Sequence, residues 1–209
     1  NGKLKLMDNV IQKYFKLSET QQAQMEQLGT LYPEWNRKIN VISRKDIDNL
    51  YVNHILHSLA IARFITPGDG TAILDMGTGG GFPGIPLAIM WPQCRFHLID
   101  RIGKKIRVAQ DIAGQIGLTN VTFQHGDIGE CRDKYDFVVS RAVMRLEELV
   151  PLIKKNIAPK SNNAIPNGLI CLKGGDLSGE LNRVKLPTLV ERLDTYFDEP
   201  FFDTKELVY

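Results

Sequence analysis

The sequence predicts an α/β protein: a doubly wound, mostly parallel sheet of seven strands with a helical appendage on its amino-terminal side. Three observations predict it. Residues 71–87, TAILDMGTGGGFPGIPL, read as a short buried strand, a glycine-rich turn and a helix start. From residue 71 onward, apolar runs of strand length alternate with helical periodicities, the pattern of parallel strands covered on both faces. Before residue 71 the apolar spacing is helical only. A strand, a glycine turn and a helix form the first βα unit of a Rossmann-like sheet, with a ligand at the carboxyl end of the strand.

The appendage comes first. Leu6, Val10, Ile11, Tyr14 and Phe15 recur at helical spacing and predict a first amphipathic helix. Ser18 or Thr20 caps a second, bearing Met25, Leu28, Leu31 and Tyr32, which Pro33 interrupts or restarts. A third apolar set follows at Trp35, Ile39, Val41 and Ile42. Asp46 reads as the cap of a helix bearing Ile47, Leu50, Tyr51, Ile55, Leu59, Ile61 and Phe64. Thr66-Pro67-Gly68-Asp69-Gly70 breaks the pattern. Residues 1–70 are therefore expected as an appendage packed on the core, and 71–209 as the core itself.

In the core, strands are expected at 71–75, 95–100, 121–124, 135–140 and 167–173. Helices are expected at 84–91, 103–116, 145–156 and 176–184. Pro83 or Pro86 fits the first turn of its helix, where a missing N–H costs little. Residues 189–197 and 206–209, with Pro200 between them, predict an antiparallel two-strand finish. The chain reaches Val208 and Tyr209 in mid-strand, so residues beyond are expected.

The totals bound the function. The chain has 209 residues, room for one sizeable α/β domain and a small appendage. Its 43% hydrophobic and 24% charged fractions are those of a soluble globular protein. A net charge of +2 makes any nucleic-acid site a local patch. No apolar run approaches the roughly 18 residues that span a bilayer, and the start NGKLKLMDN lacks a signal-peptide layout. Cys94, Cys131 and Cys171 are odd in number and scattered, which points to a reducing, cytoplasmic compartment.

The glycine turn selects its ligand by charge. A P-loop needs Gly-Lys-Ser/Thr, and none follows. G-x-G-x-x-G is present at Gly79, Gly81 and Gly84, with Gly77 ahead of it. Asp75 precedes the first glycine and predicts a carboxylate at the mouth of the turn, which suits a cationic ligand better than a pyrophosphate. S-adenosylmethionine, with a sulfonium and an ammonium, is such a ligand. Gly77 and Gly79 offer it bare backbone. Asp100, about 20 residues on at the end of the next strand, suits the ribose hydroxyls of an adenosine and argues against a 2′-phosphate. Asp127, after the third strand, is a candidate for the exocyclic amine of adenine, and equally a favoured turn residue.

Around the fourth strand the sequence departs from two familiar chemistries. Its exit reads Ser140-Arg141-Ala142-Val143, not the Asn/Asp-Pro-Pro-aromatic element of enzymes that methylate exocyclic amines. Neither Cys131 nor Cys171 lies in the nucleophile motif of a cytosine-C5 enzyme. Both absences point to an acceptor that is already nucleophilic. Arg141 suits an anionic or carbonyl-bearing partner: a carboxylate, a phosphate or guanine O6/N7. Lys173 follows the fifth strand on the same edge, and Arg141 and Lys173 are the candidate catalytic residues. Arg101, Lys104, Lys105 and Arg107 open a helix against its dipole. Arg37, Lys38, Arg44 and Lys45, interleaved with Trp35, would suit RNA. His54 and His57 lie three apart without a third ligand nearby, so no metal is expected.

Together these residues carry a resemblance. Trp35-Asn36 and Asn40-Val41-Ile42-Ser43, then Asn53-His54-Ile55-Leu56-His57-Ser58, are similar to two helical-region signatures. Asp75-Met76-Gly77-Thr78-Gly79-Gly80-Gly81-Phe82-Pro83-Gly84-Ile85-Pro86 is the most specific, followed by Val139-Ser140-Arg141-Ala142 and Leu172-Lys173-Gly174. Over nearly its whole length the chain resembles the glucose-inhibited division protein B family, the bacterial 16S ribosomal RNA guanine-N7 methyltransferases. His57 stands where that family usually has Asp, and Asn53 where it often has a basic residue. The resemblance implies a class I S-adenosylmethionine-dependent methyltransferase fold. It implies cofactor contacts at Gly77, Phe82, Ile128, Gly129 and Arg141, and 16S ribosomal RNA or the small ribosomal subunit as partner. A cytoplasmic monomer without membrane contact is expected. Two other readings use the same fold: a nicotinamide (NAD)-dependent oxidoreductase, and an inactive ribosome-associated RNA-binding protein.

Overall fold

The computed structural model describes residues 10–141 and 143–209; Leu6 and Ala142 lie outside them. Helix α1, Glu19–Asn36, starts at Ser18. The Ser18 hydroxyl accepts from the Gln21 amide at 3.1 Å, and the Gln21 side chain accepts from the Ser18 amide at 2.9 Å. This capping box satisfies two otherwise orphaned amides. The helix runs through Pro33 instead of restarting there. Leu28, Leu31 and Tyr32 are buried before the proline, and Trp35 beyond it donates to Asp111 at 2.8 Å. That packing carries the helix across one missing bond.

Two further expectations in the appendage are corrected. The one-turn helix α2, Arg44–Ile47, is capped by Ser43, whose hydroxyl takes the Asp46 amide at 3.2 Å. Asp46 is the third residue of the turn and receives the Ser43 O–H at 2.9 Å. The helix expected from 47 to 64 is also not uniform. Tyr51–Leu56 is wound as a π turn, and α3, His57–Phe64, continues from it. The looser winding accompanies burial of every residue from 54 to 61, more than one face of a straight amphipathic helix would bury.

The sheet has the seven strands expected, and their order is β3-β2-β1-β4-β5-β7-β6. Strands β1 (Ala72–Met76), β2 (Arg95–Asp100), β3 (Val121–His125), β4 (Phe137–Arg141) and β5 (Gly168–Gly174) are parallel. Strands β6 (Val190–Arg192) and β7 (Lys205–Val208) close it antiparallel. Helices α4 (Gly84–Met90), α5 (Gly103–Gln115), α6 (Leu146–Ile153) and α7 (Ser178–Arg183) follow β1, β2, β4 and β5. The extended run expected over 189–197 shrinks to three residues. Leu193 and Phe197 turn inward beside Phe202 to be fully buried, and that burial outweighs continuation of the strand.

Alternation along the strands divides the core. Ile73, Phe137 and Val139 face the appendage, α4 and α5, while Leu74, Val138 and Cys171 face α6 and α7. Chain order reverses between β1 and β4, where Asp75 pairs in register with Val139. That reversal opens a crevice at the carboxyl ends of the strands. The appendage is fastened beside it. The Tyr32 hydroxyl donates to the Gly80 carbonyl at 2.8 Å, and Val41 rests against Gly80. Asn36 holds Val41 in place: its Oδ1 accepts from the Val41 and Ile42 amides at 3.0 and 2.9 Å. Among the described residues no helix is long and apolar enough to cross a membrane.

Tyr32→Phe keeps the ring and leaves the Gly80 carbonyl without its donor. It is expected to lower stability by about 1–2 kcal/mol, measured as a shift in the urea midpoint at unchanged slope.

Candidate active site

The glycine turn is built around Asp75. Its Oδ2 accepts from the Gly84 amide at 2.8 Å and the Thr78 hydroxyl at 2.7 Å. The residue is fully buried, so the expected carboxylate at the mouth of the turn is corrected to one inside it. Apolar β1 neighbours on either side and the returning helix start enclose it. Burial pushes its pKa up to about 7, against the pull of Thr78, Gly84 and Arg141. Oδ1 is buried with no partner among the described residues.

The glycines are needed for two different reasons. Gly77 and Gly79 have φ of 71° and 59°, the left-handed region that other residues avoid. Nothing lies within 4 Å of where a Gly79 side chain would begin, so ligand can reach this backbone. Gly84 is needed for space: a Cβ there would stand 2.8 Å from Asp75 Oδ2 and from Leu98.

Asp100 ends β2 beside this turn. Its Oδ2 accepts from the Gly79 amide at 2.7 Å and its Oδ1 from the Ile102 amide at 2.8 Å, so it braces the turn as well as lining it. Asp127, Ile128 and Gly129 come together after β3. Asp127 Oδ1 caps the short turn by accepting from the Gly129 amide at 2.9 Å, and its Oδ2 lies 3.8 Å from Arg101. Gly129 is exposed; the Ile128 side chain is buried in the core.

Phe82 lies at the end of the glycine turn. Its ring is buried, 4.7 Å from Tyr32 and 5.2 Å from His54. The Arg141 guanidinium stands 5.2 Å from the same ring. Arg141 Nη2 donates to His54 Nδ1 at 2.8 Å, and its Nη1 is buried without a partner among the described residues. Burial draws the Arg141 pKa down to about 10, with Asp75 the leading opposing charge, and the group remains a cation.

Lys173 does not extend free into the crevice. It is buried, and its Nζ donates to the Met144 carbonyl and to Glu180 Oε1, the latter at 2.9 Å. Glu180 Oε1 also accepts from the Leu146 amide at 3.0 Å. A buried ammonium needs such partners. Lys173 therefore holds the segment after β4, through acceptors that no motif around it marks. That segment's Val143 lies against Gly77.

Tyr32, Asn36 and Asp46 join the site's surroundings without having been singled out for it, because an apolar helical position or a loop polar residue reads the same whatever it faces. His57 packs against Phe201 and Phe202 with its pKa pushed well down by burial. Among the described residues no three His, Cys, Asp or Glu side chains are grouped to hold a metal.

Comparison with known proteins adds three findings. The family described as rRNA small subunit methyltransferase G matches residues 21–192. Two relatives, each named ribosomal RNA small subunit methyltransferase G, are close over nearly their full length. That of Bacteroides thetaiotaomicron is 57% identical over 201 residues, 96% of this chain and 98% of the relative. That of Bacteroides fragilis is 58% identical over 198 residues, 94% of this chain and 96% of the relative. A solved coclaurine N-methyltransferase structure shares the fold, with TM-score 0.53 at 17% identity over 81% of this chain and 56% of that one.

The buried carboxylate makes stability depend on pH. With its folded pKa raised to about 7, the native state binds the proton more tightly than the unfolded chain does. Stability is lost as pH rises from the unfolded value toward 7. Asp75→Asn keeps an acceptor for Gly84 and Thr78 and carries no charge. Its stability relative to wild type is expected to improve by roughly 2–4 kcal/mol between pH 5 and pH 8, read by urea denaturation at both values.

Proposed function

This chain belongs to the rRNA small subunit methyltransferase G family, and we propose that it transfers the methyl group of S-adenosylmethionine to N7 of a guanine in 16S ribosomal RNA. The match over residues 21–192, which contains the whole glycine turn, is the observation that carries this reading. The nicotinamide-dependent and inactive-module readings are not favoured by it. Cytoplasmic residence follows from a ribosomal RNA substrate and belongs to the same proposal.

The residues fit the cofactor. The backbone at Gly79 is open, and Asp75 and Arg141 each keep one buried atom without a partner among the described residues, a carboxylate oxygen and a guanidinium nitrogen. Opposite charges with unused hydrogen-bonding capacity suit a ligand that carries both an ammonium and a carboxylate. Asp100 at the end of β2 suits free ribose hydroxyls, and the turn at Asp127, Ile128 and Gly129 lies beyond β3 where an adenine would rest.

When bound, S-adenosylmethionine supplies a methyl on a positively charged sulfur, which the N7 lone pair takes as the carbon–sulfur bond breaks and its electrons return to sulfur. N7 carries no proton at neutral pH, so the protein has no proton to remove. Its work is alignment and exclusion of water, and alignment alone contributes several kcal/mol. Arg141 would orient the nucleotide or the cofactor carboxylate. Lys173 would act at one remove, by fixing the segment between β4 and α6.

The test uses purified protein, methyl-labelled S-adenosylmethionine and small ribosomal subunits from cells lacking this gene. Label is expected in the RNA, with strand cleavage specific for N7-methylguanine at one nucleotide. Label on an exocyclic nitrogen, or none, would overturn the reading. Arg141→Met is expected to lower kcat/KM about 100-fold, the cost typical of losing one charged orienting group in a desolvated site.

A further inference from the structure

We infer that His54 is a positioning residue for this reaction: it fixes the guanidinium of Arg141 and so ties the appendage to the carboxyl end of β4. The inference rests on the methyltransferase reading and deepens it. An arginine side chain has several rotatable bonds, and alone it would sample many positions over the crevice. Here two surfaces restrict it. The Phe82 ring stands 5.2 Å from the guanidinium, and His54 Nδ1 takes one of its N–H groups at 2.8 Å.

That hydrogen bond requires a neutral imidazole with its proton on Nε2, because a protonated ring has no acceptor. Burial supplies the condition, pushing the His54 pKa down to about 4, and the Arg141 charge pushes the same way. Asp46 opposes both from the other side, with its Oδ2 4.0 Å from Nε2. Asp46 belongs to the short helix α2 that carries Arg44 and Lys45. At that distance Asp46 acts on His54 through its charge and not through a hydrogen bond, and Nε2 has no hydrogen-bond partner among the described residues.

The backbone is shaped for this contact. His54 sits in the π turn Tyr51–Leu56, and π turns concentrate at functional sites. A shift of one residue in an ordinary helix would rotate a side chain by about 100°. Relaxing the π turn would carry His54 away from Arg141.

The experiment is a double-mutant cycle with a rescue. His54→Leu removes the acceptor; His54→Asn offers Oδ1 at about the place of Nδ1. Each is made in the wild-type and Arg141→Met backgrounds and assayed on unmethylated small subunits, with thermal melting alongside. His54→Leu is expected to cost about 10- to 100-fold in kcat/KM, the scale of a hydrogen bond to a charged group, mostly in kcat. His54→Asn recovers most of that loss. In the Arg141→Met background, His54→Leu costs nothing further. Multiplying losses in the double variant, or an Asn variant as slow as the Leu variant at an unchanged melting temperature, would sink the inference. Should wild-type protein transfer no methyl to ribosomal RNA, the proposed function fails instead. The same cycle is then read in affinity for S-adenosylmethionine by calorimetry, where independent losses again overturn the role of His54.

Discussion

A single oxygen, Asp75 Oδ2, ties the two ends of the glycine turn together. It accepts from the Thr78 hydroxyl and the Gly84 amide, six residues apart, and thereby sets where β1 stops and α4 starts. The grip carries an electrostatic penalty. A fully buried carboxylate loses its hydration, and the raised pKa records how incompletely two hydrogen bonds replace it. Gly84 is bound up in the same constraint, since any side chain there would strike the carboxylate it helps to hold. The turn is thus strained in charge rather than in packing, as expected where a site is organised for a cationic ligand.

What is fastened to that turn follows from it. Asp100 braces Gly79 from the next strand, and Tyr32 and Val41 press on Gly80 from the appendage. The candidate site is therefore shared: the sheet supplies the carboxylates and Arg141, while the appendage supplies Tyr32 and His54. Helix and sheet share one hydrophobic cluster running from Ile11 through Tyr32 and Phe82 to Leu207. Burial on that scale makes the appendage a wall of the site, able to transmit a change in one side chain's position to another.

Much of this was legible in the sequence, and the limits are instructive. The five parallel strands came through because parallel strands covered on both faces are continuous apolar runs, and glycine and proline mark their ends. The turn and its acidic neighbours were visible for the same reason: few residue types permit such a backbone. The π turn left no trace, since its apolar residues fit an ordinary amphipathic helix equally well. Ser43 displaced Asp46 as a cap because both are good capping residues and only the path of the chain decides between them. Nothing local to Lys173 or Phe82 indicates that one meets Met144 and the other Tyr32, residues remote in sequence.

The sequence by itself determined the fold class, the glycine turn and the set of charged residues at the ends of the strands. These depend on periodicity and on backbone permissions, which are properties of neighbouring residues. Tertiary structure alone decided how those charges are desolvated and partnered. Asp75 and Lys173 were drawn inside, and Arg141 was set between Phe82 and His54. Desolvation and hydrogen-bond partnership depend on what the folded chain brings from far away, and no local pattern encodes that distance.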